Sequence, residues 1–231
     1  MERAMSKHLH NEIEKLKKRI LNLSTMVESA VQMATTALRE RDSELAKSVI
    51  SADSEIDLCE VDIEEECQKI LALYQPVAHD LRHIIAVLKI NAELERIGDA
   101  TVNISERVLL LVNKEWMDIH IDFPDMAQKA QDMLHKSLDA LVNLDASLAY
   151  EVILADDEVD AINEHMYGQV EKAIQQEPDR VDSYINLLGI SHNIERIADH
   201  ASNIAEDVIY LLEGRIVRHR AEEFRRGTAR E

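Results

Sequence analysis

The chain has 231 residues, with 45 Asp and Glu against 26 Lys and Arg, for a formal charge of −19. Nucleic-acid binders set cations against phosphate, so a balance this acidic argues against that class. Five glycines, three prolines and 3% aromatics are too few for a β-rich architecture, while 46% apolar residues supply a core. An all-α protein is expected. The charged start MERAMSKHLHNEIEKLKKR has no apolar signal core, and no apolar run approaches the ~20 residues that cross a bilayer. The two cysteines, Cys59 and Cys67, are placed too far apart on one helix for a disulfide, which points to reduced thiols in the cytoplasm.

In the first helix, Leu9, Ile13, Leu16, Ile20, Leu23, Val27, Ala30, Ala34 and Ala37 step alternately by four and three, a heptad seam. Arg41, Asp42 and Ser43 break it, with Asp42 or Ser43 as N-cap of the next helix. The second helix carries Leu45, Val49, Ala52, Ile56, Cys59, Ile63 and Ile70, with Cys59 expected as a buried small hydrophobe. It ends near Tyr74 and Gln75, because Pro76 disfavours helical geometry in its predecessor; Pro76 suits the first turn of a third helix. The third helix carries Leu81, Ile85, Leu88, Val102 and Leu109 and runs to about Val112. Three long helices with short links make an antiparallel bundle. The next segment, NKEWMDIHIDFP, loses the period and reads as a linker.

Beyond the linker the pattern returns. AELERIGDATVNISE from Ala92 matches HNIERIADHASNIAE from His192 at an offset of 100, and ADSEID from Ala52 matches ADDEVD from Ala155 at 103. Leu38, Asp42, Ala46 and Val49 are set against Leu138, Asp145, Ala149 and Val152. The expected organisation is two tandem antiparallel three-helix bundles, residues 1–113 and 125–214, joined by a linker at 114–124 and followed by a basic tail at 215–231.

Carboxylates stand where a core is expected. Following the third-helix seam from Leu81 and Leu88 gives Glu95, and the companion row from Ile85 gives Asp99 and Glu106. In the sixth helix the same rows run Val181, Leu188, Glu195, Ser202, Ile209 and Ile185, His192, Asp199, Glu206. A buried unpaired carboxylate costs several kcal/mol or takes a proton, so something compensates. Pairing with Arg96, Arg196, Arg107 or an N-terminal lysine is one answer. Metal is the other. Glu95 with Asp99 and Glu195 with Asp199 are i, i+4 pairs, and the second and fifth helices offer Asp53 with Asp57 and Asp156 with Asp160 at the same spacing. Asp53 and Asp57 flank their seam and could be rim acids. Carboxylates from two neighbouring helices form a hard oxygen site for Fe, Mn, Mg or Zn. Asn103 and Asn203 could add amide oxygens, and Glu106 and Glu206 further carboxylates; His192, three before Glu195, reads either as a ligand of the second set or as a hydrogen-bonded core histidine, and His200 as an outer partner.

QPVAHDLRHI from Gln75, LERIGDATVNISE, and NIERIADHASNIAEDVIYLLEGRIVRH from Asn193 resemble the signatures of the PhoU family of phosphate-transport accessory proteins, over nearly the whole chain. The resemblance implies two three-helix bundles and multinuclear iron or zinc clusters held by acid-x-x-x-Asp motifs. Those motifs map onto Asp53 with Asp57, Glu95 with Asp99, Asp156 with Asp160, and Glu195 with Asp199. Three departures stand out: Ala100 replaces a His that commonly follows the motif, His192 is unusual, and the first helix lacks a Met-Gly pair often found there. The first two imply unequal sites.

The resemblance further implies a cytoplasmic adaptor, without catalysis, that works with the ATPase subunit of the phosphate ABC transporter. It implies restraint of phosphate uptake and negative regulation of the starvation response through a phosphate-sensing histidine kinase. A homodimer is expected, with membrane association only through partners and no nucleic acid. The competing reading is a carboxylate-bridged metal enzyme acting on phosphoesters or oxygen; no nucleophile elbow, Gly-rich phosphate loop or histidine set supports it. The tail, with six Arg against three Glu from Gly214 onward, reads either as a surface for anionic lipid or an acidic partner, or as a frayed helix end.

Overall fold

The computed structural model describes residues 2–114 and 123–217, with side chains from His8 onward. Most of the expected linker and tail lies outside the described residues. Among the described residues six α-helices follow one another: α1 (Glu2–Glu40), α2 (Ser43–Tyr74), α3 (Ala78–Leu111), α4 (Phe123–Asn143), α5 (Ala146–Gln176) and α6 (Val181–Glu213). A single 3-10 turn, Pro178–Arg180, precedes α6. Helices α1, α2 and α3 pack on one another, as do α4, α5 and α6, giving two three-helix bundles that meet chiefly along α3 and α6.

The α1 seam is buried as its period requires: Ile13, Leu16, Ile20, Leu23, Val27, Ala30, Ala34 and Ala37 are all core. The α1–α2 and α4–α5 turns use one device. Arg41 and Leu144 take left-handed φ of 55° and 54°, and the amides of Asp42 and Asp145 close back on Ala37 and Ala140. The side chains of Asp42 and Asp145 then cap α2 and α5, accepting from Glu44 and Leu45 N–H and from Ser147 and Leu148 N–H. This offset of 103 pairs Leu38 with Leu141, correcting the expected match to Leu138. Arg41 gains a second use, donating to the carbonyls of Leu111, Val112 and Lys114 at the end of α3. Replacing either aspartate with alanine is expected to cost about 1 kcal/mol, read as a lower urea midpoint with unchanged slope.

Pro76 lies before α3, not in its first turn. Gln75 ends α2 with φ 46°, and Val77 occupies the N-cap position of α3. Cys59 is only partly buried, whereas Cys67 is fully enclosed. Burial pushes the Cys67 thiol up to about 12, so it stays an inert apolar group.

Helices α3 and α6 depart most from their expected seams. Three adjacent rows are buried on α3: Ile84, Asn91, Gly98, Ser105; Val87, Leu94, Thr101, Val108; and Ile90, Ile97, Ile104, Leu111. On α6 the rows Tyr184, Ser191, Ala198, Ala205; Leu187, Ile194, Ala201, Val208; and Ile190, Ile197, Ile204, Leu211 match them. The expected α3 row through Leu81 and Leu88 therefore sits one residue, about 100° around the helix, off the core, as does the start of the α6 row at Val181, whereas Ser202 and Ile209 further along that row are buried. Each of these helices packs against both neighbours of its own bundle and against the other bundle. Burial on so many sides lets a single seam be threaded in several phases.

Candidate metal centre

Along α2, heptad steps from Ala46 give Asp53, Glu60 and Cys67, beside the apolar row Val49, Ile56, Ile63 and Ile70. Asp53 and Glu60 thus interrupt the very row that faces the bundle, and both are half-buried; Asp57 is exposed. This corrects the expectation that Asp53 merely flanks its seam. Across from it, α3 presents Gly98, and a Cβ added there would stand 3.4 Å from Asp53 Oδ1. Conversely, Glu95 is half-buried and Asp99 exposed, so both flank the α3 core instead of occupying it.

The electrostatics show that the α2 and α3 acids share one space. Burial first, then Asp57 and Asp99, raise the Asp53 carboxyl above its ordinary value. Burial raises Glu95, helped by Asp99, Glu60 and Asp57 against the opposing Arg96. Glu60, absent from the expected set, is itself raised by burial, Glu64 and Asp57. Its backbone carbonyl and Oε1 hold the Asn91 amide at 3.0 and 3.2 Å.

The second bundle repeats this arrangement more tightly. Steps of seven along α5 give Ala149, Asp156, Asn163 and Val170. Single ligand atoms of Asp160, Glu195 and Asp199 all lie within 4.8 Å of one another, the one such trio among the described residues. Burial, Asp199 and Asp160 push Asp156 up to about 6. Burial, Glu195 and Asp160 push Asp199 up to about 6. Glu195 rises through burial, opposed by His192, whose Nδ1 stands 3.1 Å from Glu195 Oε2. Asn163 replaces the Glu60 of the first bundle and accepts from Ser191 Oγ at 2.6 Å. Like charges held this close favour either protons or a cation.

The remaining candidates are distributed differently. His200 Nδ1 and Asn203 Nδ2 contact Glu93 Oε2 at 2.7 and 3.0 Å, so both are engaged at the α3–α6 interface. Asn103 bonds its amide back to the Asp99 carbonyl at 2.8 Å. Glu106 is exposed and Glu206 half-buried, one turn beyond the clusters. Glu93 itself is 5% exposed and was not singled out by the sequence; Arg96, at 2.9 Å, His200 and Asn203 together compensate its buried charge. Heptad steps through the true core rows would have exposed both Glu60 and its replacement Asn163.

The chain matches the PhoU domain over residues 20–108 and again over 123–208, one match per bundle. It is 38% identical to the phosphate-specific transport system accessory protein PhoU homolog of Aquifex aeolicus, over 91% of this chain and 96% of that protein. It is 32% identical to the PhoU of Escherichia coli K12, over 93% and 91% respectively. Among solved structures, PhoU from Pseudomonas aeruginosa superposes with a TM-score of 0.86 at 35% identity, covering 89% of this chain and 99% of that one. PhoU from Streptococcus pneumoniae gives 0.80 at 28% identity, covering 90% and 99%. Two family matches in tandem, each spanning a bundle with its own carboxylate cluster, establish that the chain belongs to the PhoU family.

Proposed function

We propose that this chain is a metal-binding regulatory adaptor of a phosphate transport system, acting in the cytoplasm on the transporter's ATPase subunit and on a phosphate-sensing histidine kinase. In that role it restrains uptake and the starvation response without catalysing a reaction. The names of its relatives, accessory proteins of phosphate-specific transport, support the transport link. No described helix is long and apolar enough to cross a membrane, which fits attachment through partners.

The observation that carries the metal part is the convergence of Asp160, Glu195 and Asp199 on one point with Asp156 behind them. The chemistry of this donor set fits a hard or borderline cation. Asp156, Asp160, Glu195 and Asp199 would hold one centre, and Asp53, Asp57, Glu60, Glu95 and Asp99 a second. Iron or zinc would supply positive charge that fixes two helices of a bundle in one spacing. The two centres are unequal, since the first has a carboxylate at Glu60 where the second has Asn163. Elemental analysis of protein purified without chelator should find iron or zinc, with Asp199→Ala removing the larger share. Less than about half an equivalent of metal per chain, with no change of stability in chelator, would sink this part. For the adaptor role, pull-down from phosphate-replete cells should recover the transporter ATPase or a sensor kinase; recovering neither would count against it.

A further inference from the structure

A cavity of about 150 Å³ opens where the first turns of α3 meet α1 and the last turns of α4 and α6, so both bundles build it. The buried side chains of Ile20, Val87, Leu141 and Leu211 form its apolar floor, and the exposed Leu144 stands at its mouth. Three nitrogen bases complete the lining, Lys17, His79 and His83, and no acid belongs to it. His83 is the unusual member. It is 6% exposed, and its Nε2 is buried with no hydrogen-bond partner among the described residues. Burial, with Lys17 and His79, pushes the ring down to about 4 against Asp80 and Glu14, so it is neutral at pH 7. The charged groups that bear on it come from α1 and α3, since the lining contributed by α4 and α6 is apolar. A polar atom left unpaired beside a cavity costs free energy that a ligand recovers by supplying the missing partner.

The size and chemistry of this space select an occupant. A cavity of this volume takes one benzene-sized ring or an alkyl chain of similar bulk, and is too small for a peptide helix. A purely apolar guest would leave His83 unsatisfied, and a basic one would meet Lys17. An acid group is the complement, because its oxygens accept both from an ammonium and from an imidazole N–H. Lys17 Nζ already holds Glu14 Oε1 at 2.8 Å, but this i, i+3 pair lies at the rim with its side chains 43% and 47% exposed. Such a pair is weak, and an ammonium has donors to spare. With no hydrogen bond fixing Nε2, the His83 ring is able to turn its N–H towards a guest.

We propose that this cavity binds a small monocarboxylic acid with an apolar body, such as a medium-chain fatty acid. The chain lies among Ile20, Val87, Leu141 and Leu211, and the carboxylate sits at the mouth between Lys17 and His83. Such a ligand touches α1 and α3 of one bundle and α4 and α6 of the other, so its occupancy bears on how the two bundles hold together. The site is separate from the carboxylate clusters: His83 precedes Glu95 by about 18 Å of helix.

Octanoate and 1-octanol, titrated into the full-length protein in chelator, test this with no metal at the clusters to capture the acid. Methyl NMR spectra should show octanoate saturating one site with a dissociation constant of about 1 mM or tighter, the shifts centred on Leu141 and Leu211. 1-Octanol should bind at least about fivefold more weakly, for want of the charged head. Lys17→Gln should weaken octanoate by about fivefold and leave 1-octanol unchanged. Leu144→Glu, at an exposed position, should weaken octanoate by setting like charge at the mouth. With octanoate bound, the His83 ring should titrate above its free value of about 4, because a neighbouring anion favours the imidazolium. Equal affinity for acid and alcohol, octanoate binding unmoved by both variants, or the lack of any saturable shift would overturn the proposal. So would methyl shifts at this site on diluting the ligand-free protein, which would assign the cavity to a second copy.

Discussion

The metal-free Asp156→Asn variant should be more stable than the parent at pH 7, by about 2 kcal/mol, and should lose most of its stabilisation by added zinc or ferrous ion. Asp156 is displaced from 3.8 to about 6 by burial, Asp199 and Asp160, so its charged form is disfavoured in the fold. The native state therefore binds the proton more tightly than the unfolded chain between those two values. The penalty is fully present above pH 6 and fades as pH falls towards 3.8. Parent protein in chelator should accordingly gain stability from pH 7 to pH 5. The asparagine variant should show a flatter profile, having lost the Asp156 titration, but not a flat one, because Asp199, also raised to about 6, still contributes. Metal replaces the proton as the source of positive charge, so saturating zinc should lift the parent most at pH 7. Urea denaturation at pH 5 and 7, with and without metal, checks all of this. A variant less stable than the parent at pH 7, with an unchanged pH slope, would contradict it.

The Lys89→Met variant should lose about 3 kcal/mol, lowering the melting temperature by roughly 6–12 °C. Lys89 Nζ lies 2.6 Å from Asp207 Oδ1 across the α3–α6 interface, and Asp207 is 1% exposed. The ammonium also stands 5.0 Å from the centre of the Tyr210 ring. Removing it strips a deeply buried carboxylate of its lysine, and methionine fills the space without replacing the charge. Coupling Lys89→Met with Asp207→Leu should recover most of the loss, since an apolar pair of similar volume needs no compensation. A loss below about 1 kcal/mol for the single variant would show that the pair is effectively solvated.

The sequence reveals one-sided helices well and many-sided ones poorly. In α1 a single seam separates core from water, so every step from Ile13 to Ala37 falls inside. In α3 and α6 the apolar rows are adjacent, and a row through Leu88 fits the period as well as one through Val87. That ambiguity misplaced Glu95 and Asp99 into the core while hiding Glu93, the acid that is in fact buried there. The carboxylate pairs were still legible because i, i+4 spacing recurs in both halves, and recurrence does not depend on phase. Glu60 was missed for the opposite reason: its counterpart is Asn163, so the repeat does not flag it. His200 next to Asp199 reads as an outer partner of the metal site; only the packing of α3 on α6 brings it to Glu93.

Helices α3 and α6 run antiparallel, with Lys89 meeting Asp207, Glu93 meeting Asn203 and Arg107 lying over Gly189. At an offset of 100 the first and last of these contacts are mirror versions of one another: position 89 corresponds to Gly189, and Arg107 to Asp207. Pairing two first halves would set Lys89 against Arg107, cation on cation, in a half-buried seam. Pairing two second halves would leave Asp207 facing Gly189 with no counter-charge. Only a first half on a second half balances, so the divergence of these few side chains after duplication encodes heterotypic docking and disfavours domain-swapped assemblies of like halves.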